Sequence, residues 1–266
     1  MKVWVTRSLP GGERQAQALR AAGHECVVAP VIDIEPVRDP APEGPWDIVI
    51  FVSEHAVRLG LPQLDLPELN LGAATLLAVG PRTAEVLKRA VSERPGWVTG
   101  PVQTGIRADS EGLLALPVLA AVAGRHVLIV SGIGGREVLQ EQLVARGARV
   151  SRFAVYRRVA RLLPGASQMQ AGEDGTATEF PPVTVDAIST GSGDGLAAVA
   201  GLWFGAGGRA DVACLVPSAR LVDSAVALGF RSVHDCGGAD DASVLRGLER
   251  IRGARDTDRS SERHTR

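Results

Sequence analysis

Short apolar runs alternate with helix-like stretches along the whole chain. VWVT (3–6) is an extended run. It is followed by a segment with apolar positions at Ala16, Leu19 and Ala22 and a stop at Gly23. CVVAPVIDIEPV (26–37) is a second extended run, interrupted by Pro30. WDIVIFVS (46–53), TLLAVG (75–80) and the weaker WVTG (97–100) follow. The pattern then restarts with HVLIV (126–130), a helix through Val138, Leu139, Leu143 and Val144, and a stop at Gly147. VSRFAVYRRVA (150–160), VDAIST (185–190), VACLVP (212–217) and SVHDC (232–236) complete ten predicted strands. Strands that alternate with helices predict parallel sheets covered on both faces.

The restart is a repeat. Val3 and Val127, Leu19 and Leu143, and Gly23 and Gly147 are each 124 residues apart. Asp47 and Asp186, and Ser53 and Ser192, are 139 apart; Gly80 and Ser218, and Arg82 and Arg220, are 138 apart. Constant offsets at polar positions argue for duplication, because apolar strands alone match by chance. Residues 163–182 are polar, rich in Gly and Pro and without periodicity, and are the natural insertion between the two offsets. The tail from Gly253 to Arg266 is almost devoid of apolar residues and is expected to be disordered.

Composition narrows the class. The 266 residues are 45% hydrophobic and only 4% aromatic, so the core is built from Ala, Val, Leu and Ile. Lys and Arg number 29 against 30 Asp and Glu, which leaves no global basic field for nucleic acid or an anionic membrane. Three cysteines without a CxxC pair read as buried thiols in a reducing compartment. The start of the chain lacks signal-peptide layout, and the apolar stretch Leu113–Ala123 is short and holds Pro117. These features lead us to expect a soluble, cytoplasmic protein.

In open parallel sheets ligands bind outside the carboxyl ends of the strands, where helix N-termini present free N–H groups. The residues there are Thr6, Arg7, Ser53, Glu54, His55, Gly80, Pro81, Arg82, Thr83, Ser131, Gly132, Gly134, Gly135, Arg136, Ser189, Thr190, Gly191, Ser192, Ser218 and Arg220. Hydroxyls, glycines and guanidinium groups suit carboxylate or phosphate. Ser53, Thr83 and Ser218 read equally well as helix caps. The loop SGIGGRE (131–137) fails as a dinucleotide fingerprint, since Glu137 stands where the third glycine belongs. The five histidines show no metal-binding spacing, and no nucleophile elbow is present. Tyr156 is the only tyrosine. It reads either as a half-buried strand aromatic or as a phenol placed at a cleft.

The ordered motifs VTR (5–7), AGHECVVAPVIDIEP (22–36), VSEHAV (52–57), AVGPRTAEVL (78–87), SEGLL (110–114), HVLIVSGIGGREVLQEQLVARGARVSRFAVYRR (126–158), ISTGSGDGL (188–196) and VPSARLVDSAVALGF (216–230) resemble the uroporphyrinogen-III synthase family, to about Ile251. The resemblance implies two flavodoxin-like, three-layer α/β domains with parallel five-stranded sheets, swapped halves and a two-stranded connector. Domain 1 would be 1–35 plus 161–252, domain 2 would be 36–160, and the connector strands would be Asp33–Arg38 and Ala154–Ala160. It further implies a cofactor-free closure of hydroxymethylbilane with inversion of ring D and release of water. Tyr156 would assist the loss of water. Arg7, Ser53, Thr83, Gly134, Gly135, Arg136, Ser192 and Ser218 would bind the substrate. Ser131 and Leu221 stand where the family commonly has arginine and threonine. The expected protein is a monomer that meets hydroxymethylbilane synthase only transiently. Two rivals remain at this stage: a non-catalytic tetrapyrrole- or anion-binding module, and a nucleotide-sugar transferase with two facing domains.

Overall fold

A computed structural model describes residues 1–64, 74–91, 98–99, 109–134, 137–161, 168–171, 177–180 and 184–264. In chain order the elements are β1 (Lys2–Val5), α1 (Gly11–Ala21), β2 (Glu25–Val28), β3 (Ile32–Pro36), β4 (Ile48–Phe51), α2 (Glu54–Gly60), β5 (Thr75–Ala78), α3 (Pro81–Ala90) and β6 (Val98–Thr99). There follow α4 (Ser110–Leu114), α5 (Pro117–Ala120), β7 (His126–Gly132), α6 (Val138–Ala145), β8 (Arg149–Ala160), β9 (Gln168–Ala171) and β10 (Ala177–Phe180). The chain closes with β11 (Ala187–Ser189), α7 (Gly193–Gly205), β12 (Ala213–Val216), α8 (Arg220–Ala227), β13 (Ser232–Asp235) and α9 (Asp241–His264). Two compact units result: unit 1 is Met1–Asp33 with Val159–Arg266, and unit 2 is Ile34–Arg158. The sequence reading sets the junctions after 35 and 160, two residues further along at each crossing.

Unit 1 carries a parallel sheet in the order β13-β12-β11-β1-β2. Its strands are apolar on both faces because helices cover both. Val3, Val5, Ala213 and Leu215 pack against Leu19 of α1 and Val244 and Leu248 of α9. Trp4, fully buried, donates its indole N–H to the carbonyl of Ala29 at 2.8 Å, so the polar end of this large side chain is satisfied.

The sheet of unit 2 has the order β3-β8-β7-β4-β5-β6. Along β4 the alternation sorts the core. Val49 and Phe51 join α2 and α3 on one face, whereas Ile48 and Ile50 join α4, α5 and α6 on the other. Every residue of β4 is fully buried, and each such side chain stabilises the fold by about 1.5–3 kcal/mol relative to exposure.

The strand registers carry the repeat. Val3 pairs with Ala187, and Val127 pairs with Ile48; adding 124 to the first residue and subtracting 139 from the second converts the first pair into the second. The same holds for Val3–Cys26 against Val127–Val150, and for Ala187–Ala213 against Ile48–Thr75. One carboxylate of each copy does the same work. Asp186 accepts the backbone N–H of Lys2 at 2.8 Å, and Asp47 accepts that of His126 at 2.8 Å. Gly23 and Gly147 hold φ near +81° and +83°, the left-handed turn that ends each copy of the helix.

The strand pattern departs from expectation in three places. The run 26–37 is two strands, not one. Pro30 has no N–H for a ladder, so β2 ends before it and β3 belongs to a different sheet. The sheet of unit 2 consequently has six strands where five parallel ones are expected. β3 is the addition: the bonds Val37 N–H to Val155 O and Arg161 N–H to Val31 O run it antiparallel to β8. Within the insertion, β9 and β10 form an antiparallel ribbon pairing Gln168 with Phe180 and Ala171 with Ala177. α9 runs from Asp241 to His264.

Candidate active site

Unit 2 gathers its chemistry at the carboxyl ends of β4, β7 and β8. The chain leaves β4 in extended conformation at Ser53 (φ −157°, ψ 164°), and its side chain accepts the Ala56 N–H at 3.0 Å to start α2. That cap fixes the serine rotamer. The same Oγ lies 3.1 Å from the Tyr156 hydroxyl, a contact between residues 103 apart in sequence. Tyr156 is 1% exposed. Its ring fits over the strand bulge at Ser131/Gly132, where only a residue without Cβ fits: a Cβ on Gly132 would stand 2.5 Å from Tyr156 Cε2. His55 packs on the tyrosine ring, with centroids 5.7 Å apart and a 59° tilt. Arg158, two residues along β8 and therefore on the same face, donates Nη2–H to the phenol oxygen at 3.3 Å and lies 5.6 Å from the ring centroid.

Other predicted residues of unit 2 lie on the same edge of the sheet. Thr83 is 5% exposed in the first turn of α3, and Gly134 takes φ +72° in the turn after β7. Ser131 is buried, and its hydroxyl finds no hydrogen-bond partner among the described residues. Gly135 and Arg136 lie outside the described residues.

Unit 1 holds the other residues assigned to the substrate at its own carboxyl edge; among the described residues so assigned, a side-chain hydrogen bond joins Ser53 to Tyr156. Exposed Arg7 donates Nη1–H to the carbonyl of Ala239 at 3.0 Å. Ser192 is the cap of α7, accepting Gly195 N–H at 3.1 Å. Ser218 offers its carbonyl to Leu221 N–H at 2.9 Å ahead of α8. Neighbouring hydroxyls are spoken for: Thr6 donates to Ser189 O, Thr190 to Leu215 O, and Ser8 to Ile32 O. Burial pushes the Cys214 thiol up to about 12 and that of Cys236 up to about 11, so neither is a nucleophile at neutral pH.

Arg158 is the site residue that sequence reasoning missed. Its signal was available: on a strand, position i+2 shares the face of the tyrosine. Among the described residues no three His, Cys, Asp or Glu side chains converge as metal ligands, and no helix is long and apolar enough to cross a membrane.

Two α/β units with repeated register, and a buried phenol in contact with a half-buried serine and an exposed arginine, define a duplicated α/β protein with a candidate active site on the second sheet. Residues 13–206 match the model of the family described as uroporphyrinogen-III synthase HemD, and the chain belongs to that family. The uroporphyrinogen-III synthase of Salmonella typhimurium is 32% identical over 261 residues, which are 94% of this chain and all of that protein. The enzyme of the same name in Escherichia coli is 30% identical over 260 residues, with the same coverage. Among solved structures, the uroporphyrinogen-III synthetase of Helicobacter pylori is similar with a TM-score of 0.58 at 13% identity, covering 93% of this chain and 98% of that one. A mutant uroporphyrinogen III synthase of Thermus thermophilus gives 0.52 at 19% identity, covering 94% and 98%. At these identities the two structures speak for the fold.

Proposed function

We propose that this chain closes hydroxymethylbilane, a linear tetrapyrrole with acetate and propionate arms, into uroporphyrinogen III without a cofactor. It would thus act as a carbon–oxygen lyase that releases water and inverts ring D. The observation that carries the reading is Tyr156: one phenol in the whole chain, buried against Gly132 and hydrogen-bonded to Ser53. Protonation of the hydroxymethyl oxygen and its departure as water leave an electrophilic azafulvenium cation. Attack by ring D through its substituted carbon gives a spiro intermediate, which fragments and recombines with that ring turned over. Closure without inversion needs no enzyme, so the protein's task is to hold one conformation and to lend a proton. Tyr156 is the proton source in this reading. Ser53, Thr83 and the Gly134–Gly135–Arg136 turn, with Arg7, Ser192 and Ser218 of unit 1, receive the carboxylate arms and the chain of pyrroles.

The same reading has the two units exchange halves through the β3 and β8 connectors. It makes the protein a cytoplasmic monomer that takes its unstable substrate from hydroxymethylbilane synthase in passing. The test is incubation with freshly made hydroxymethylbilane, followed by oxidation and chromatographic separation of the type I and type III porphyrins. Type III product is expected. Type I alone, with tetrapyrrole bound, would make the protein a binding module instead.

A further inference from the structure

We infer that the proton leaving Tyr156 reaches the substrate through the hydroxyl of Ser53, and that Arg158 holds the phenol oxygen while the proton is away. This rests on the cyclase reading above and adds the route. Tyr156 is 1% exposed, whereas Ser53 is only half-buried, at the start of α2. Of this pair, Ser53 is therefore the residue open to a ligand. Hydrogen-bond accounting gives the direction. Arg158 has only donors, so its contact at 3.3 Å occupies a lone pair of the phenol oxygen. Ser53 Oγ already accepts from Ala56 N–H at 3.0 Å and keeps one lone pair and one proton. Phenols are stronger acids than aliphatic alcohols, so across the 3.1 Å contact Tyr156 donates and Ser53 accepts. The hydrogen left uncommitted belongs to Ser53.

The step balances. The hydroxymethyl oxygen of the substrate takes the Ser53 proton as Ser53 takes that of Tyr156. The C–O bond breaks with its electron pair leaving on water, while the pyrrole nitrogen supplies electrons to the exocyclic carbon. The azafulvenium cation so formed is matched by a phenolate beside the Arg158 guanidinium. Ring closure later sheds one proton, which returns to the phenolate and restores the enzyme. Arg158 is a positioning residue: it touches the phenol, not the substrate.

The experiment is steady-state formation of type III product by the full chain, with melting curves for every variant. Tyr156→Phe is expected to lower kcat by about 10–100-fold with little change in KM. Ser53→Gly keeps most of the capping value of serine but removes the hydroxyl, and should fall within about threefold of Tyr156→Phe. The double variant should be no slower than the slower single one, because both substitutions cut one route. Ser53→Thr restores a hydroxyl and should recover activity. Arg158→Gln should lose about 10-fold and Arg158→Lys should regain most of it. Ser53→Gly at the wild-type rate beside a slow Tyr156→Phe overturns the relay and leaves the cyclase intact; so do losses that multiply in the double variant. Tyr156→Phe at the wild-type rate removes the phenol as proton source, and the relay with it. Failure of the wild-type chain to yield type III product is the failure of the function itself. Should Ser53→Gly not fold, rates in H2O/D2O mixtures decide: a bowed dependence is expected for two moving protons, and a straight line overturns the route.

Discussion

The carboxyl edges of the two sheets are copies in frame and opposites in chemistry. Ser53 and Ser192 occupy matching positions, with nearly the same dihedral angles, and cap their helices at 3.0 and 3.1 Å. Asp47 and Asp186 make matching bonds at 2.8 Å. Applying the offset of 124 to Tyr156 lands on Ile32, and applying it to Gly132 lands on Ser8. In unit 1 that serine simply donates to the Ile32 carbonyl at 2.7 Å. Applying 138 to Thr83 lands on Leu221, buried at 5%. Unit 1 thus closes its hydroxyls onto its own backbone, while unit 2 replaces an aliphatic residue by a phenol and clears room for it with a glycine. Duplication supplied the scaffold twice, and the phenol–serine–arginine contact was built on one copy.

The largest expected break between the units comes from pH. All three cysteines lie in unit 1. Cys214 and Cys236 are raised by burial from 9.0 to about 12 and about 11. Below pH 9 both states hold the proton and the thiols leave stability unchanged. Above it the unfolded chain ionises first, so stability falls as pH rises, up to about 11 for Cys236 and about 12 for Cys214. Each thiol contributes a slope of about 1.4 kcal/mol per pH unit in its window. Hydrogen exchange between pH 8 and 10.5, corrected for its intrinsic rate, should show protection draining from unit 1 before unit 2. Replacing both cysteines with alanine should flatten the difference. Equal loss in both units would show that thiol burial does not distinguish them.

Next in size is Gly132→Ala. The added methyl would lie 2.5 Å from Cε2 and 2.7 Å from Cζ of the Tyr156 ring, whose own seat leaves it no free end to move. A cost of about 1–3 kcal/mol is expected from overpacking, together with a fall in activity approaching that of Tyr156→Phe. Ser8→Gly, the reciprocal change in unit 1, removes one hydrogen bond and should cost about 1 kcal/mol. A Gly132→Ala variant with normal stability and rate would show that the ring is not held there.

How much of this was legible in the sequence depended on sequence distance. The duplication was visible because Asp47, Asp186, Ser53 and Ser192 are polar markers at constant spacing, and each has the same local task in both copies. The helix stops at Gly23 and Gly147 were legible for the same reason. Tyr156 stood out as a lone phenol, and Ser53 as a cap. That the two meet was not legible, since a contact 103 residues apart is set by strand order rather than by local pattern. Arg158 was hidden among the basic residues of a strand whose alternation nevertheless puts it beside the phenol. The strand at β3 was foreshadowed only through the family resemblance, as the segment Asp33–Arg38; the apolar run 26–37 by itself does not show that Pro30 separates two strands of different sheets. The polar ribbon of β9 and β10 escaped because its residues lack the apolar alternation that marks a strand against a core.

The smallest expected effect tests the shared frame itself. Asp47→Ala and Asp186→Ala each remove the acceptor for the N–H at the start of the paired strand, Lys2 in unit 1 and His126 in unit 2. Each should cost about 1 kcal/mol, the usual net value of one hydrogen bond. Their ranking follows from burial. Asp186 is half-buried and Asp47 is exposed, so water replaces the lost acceptor more readily in unit 2. Urea unfolding should therefore place Asp186→Ala below Asp47→Ala in midpoint, with m unchanged in both. The reverse ranking would mean that the two copies are equivalent in register but not in what the register contributes. The strand pairing rather than the carboxylate would then be the part of the frame that duplication preserved.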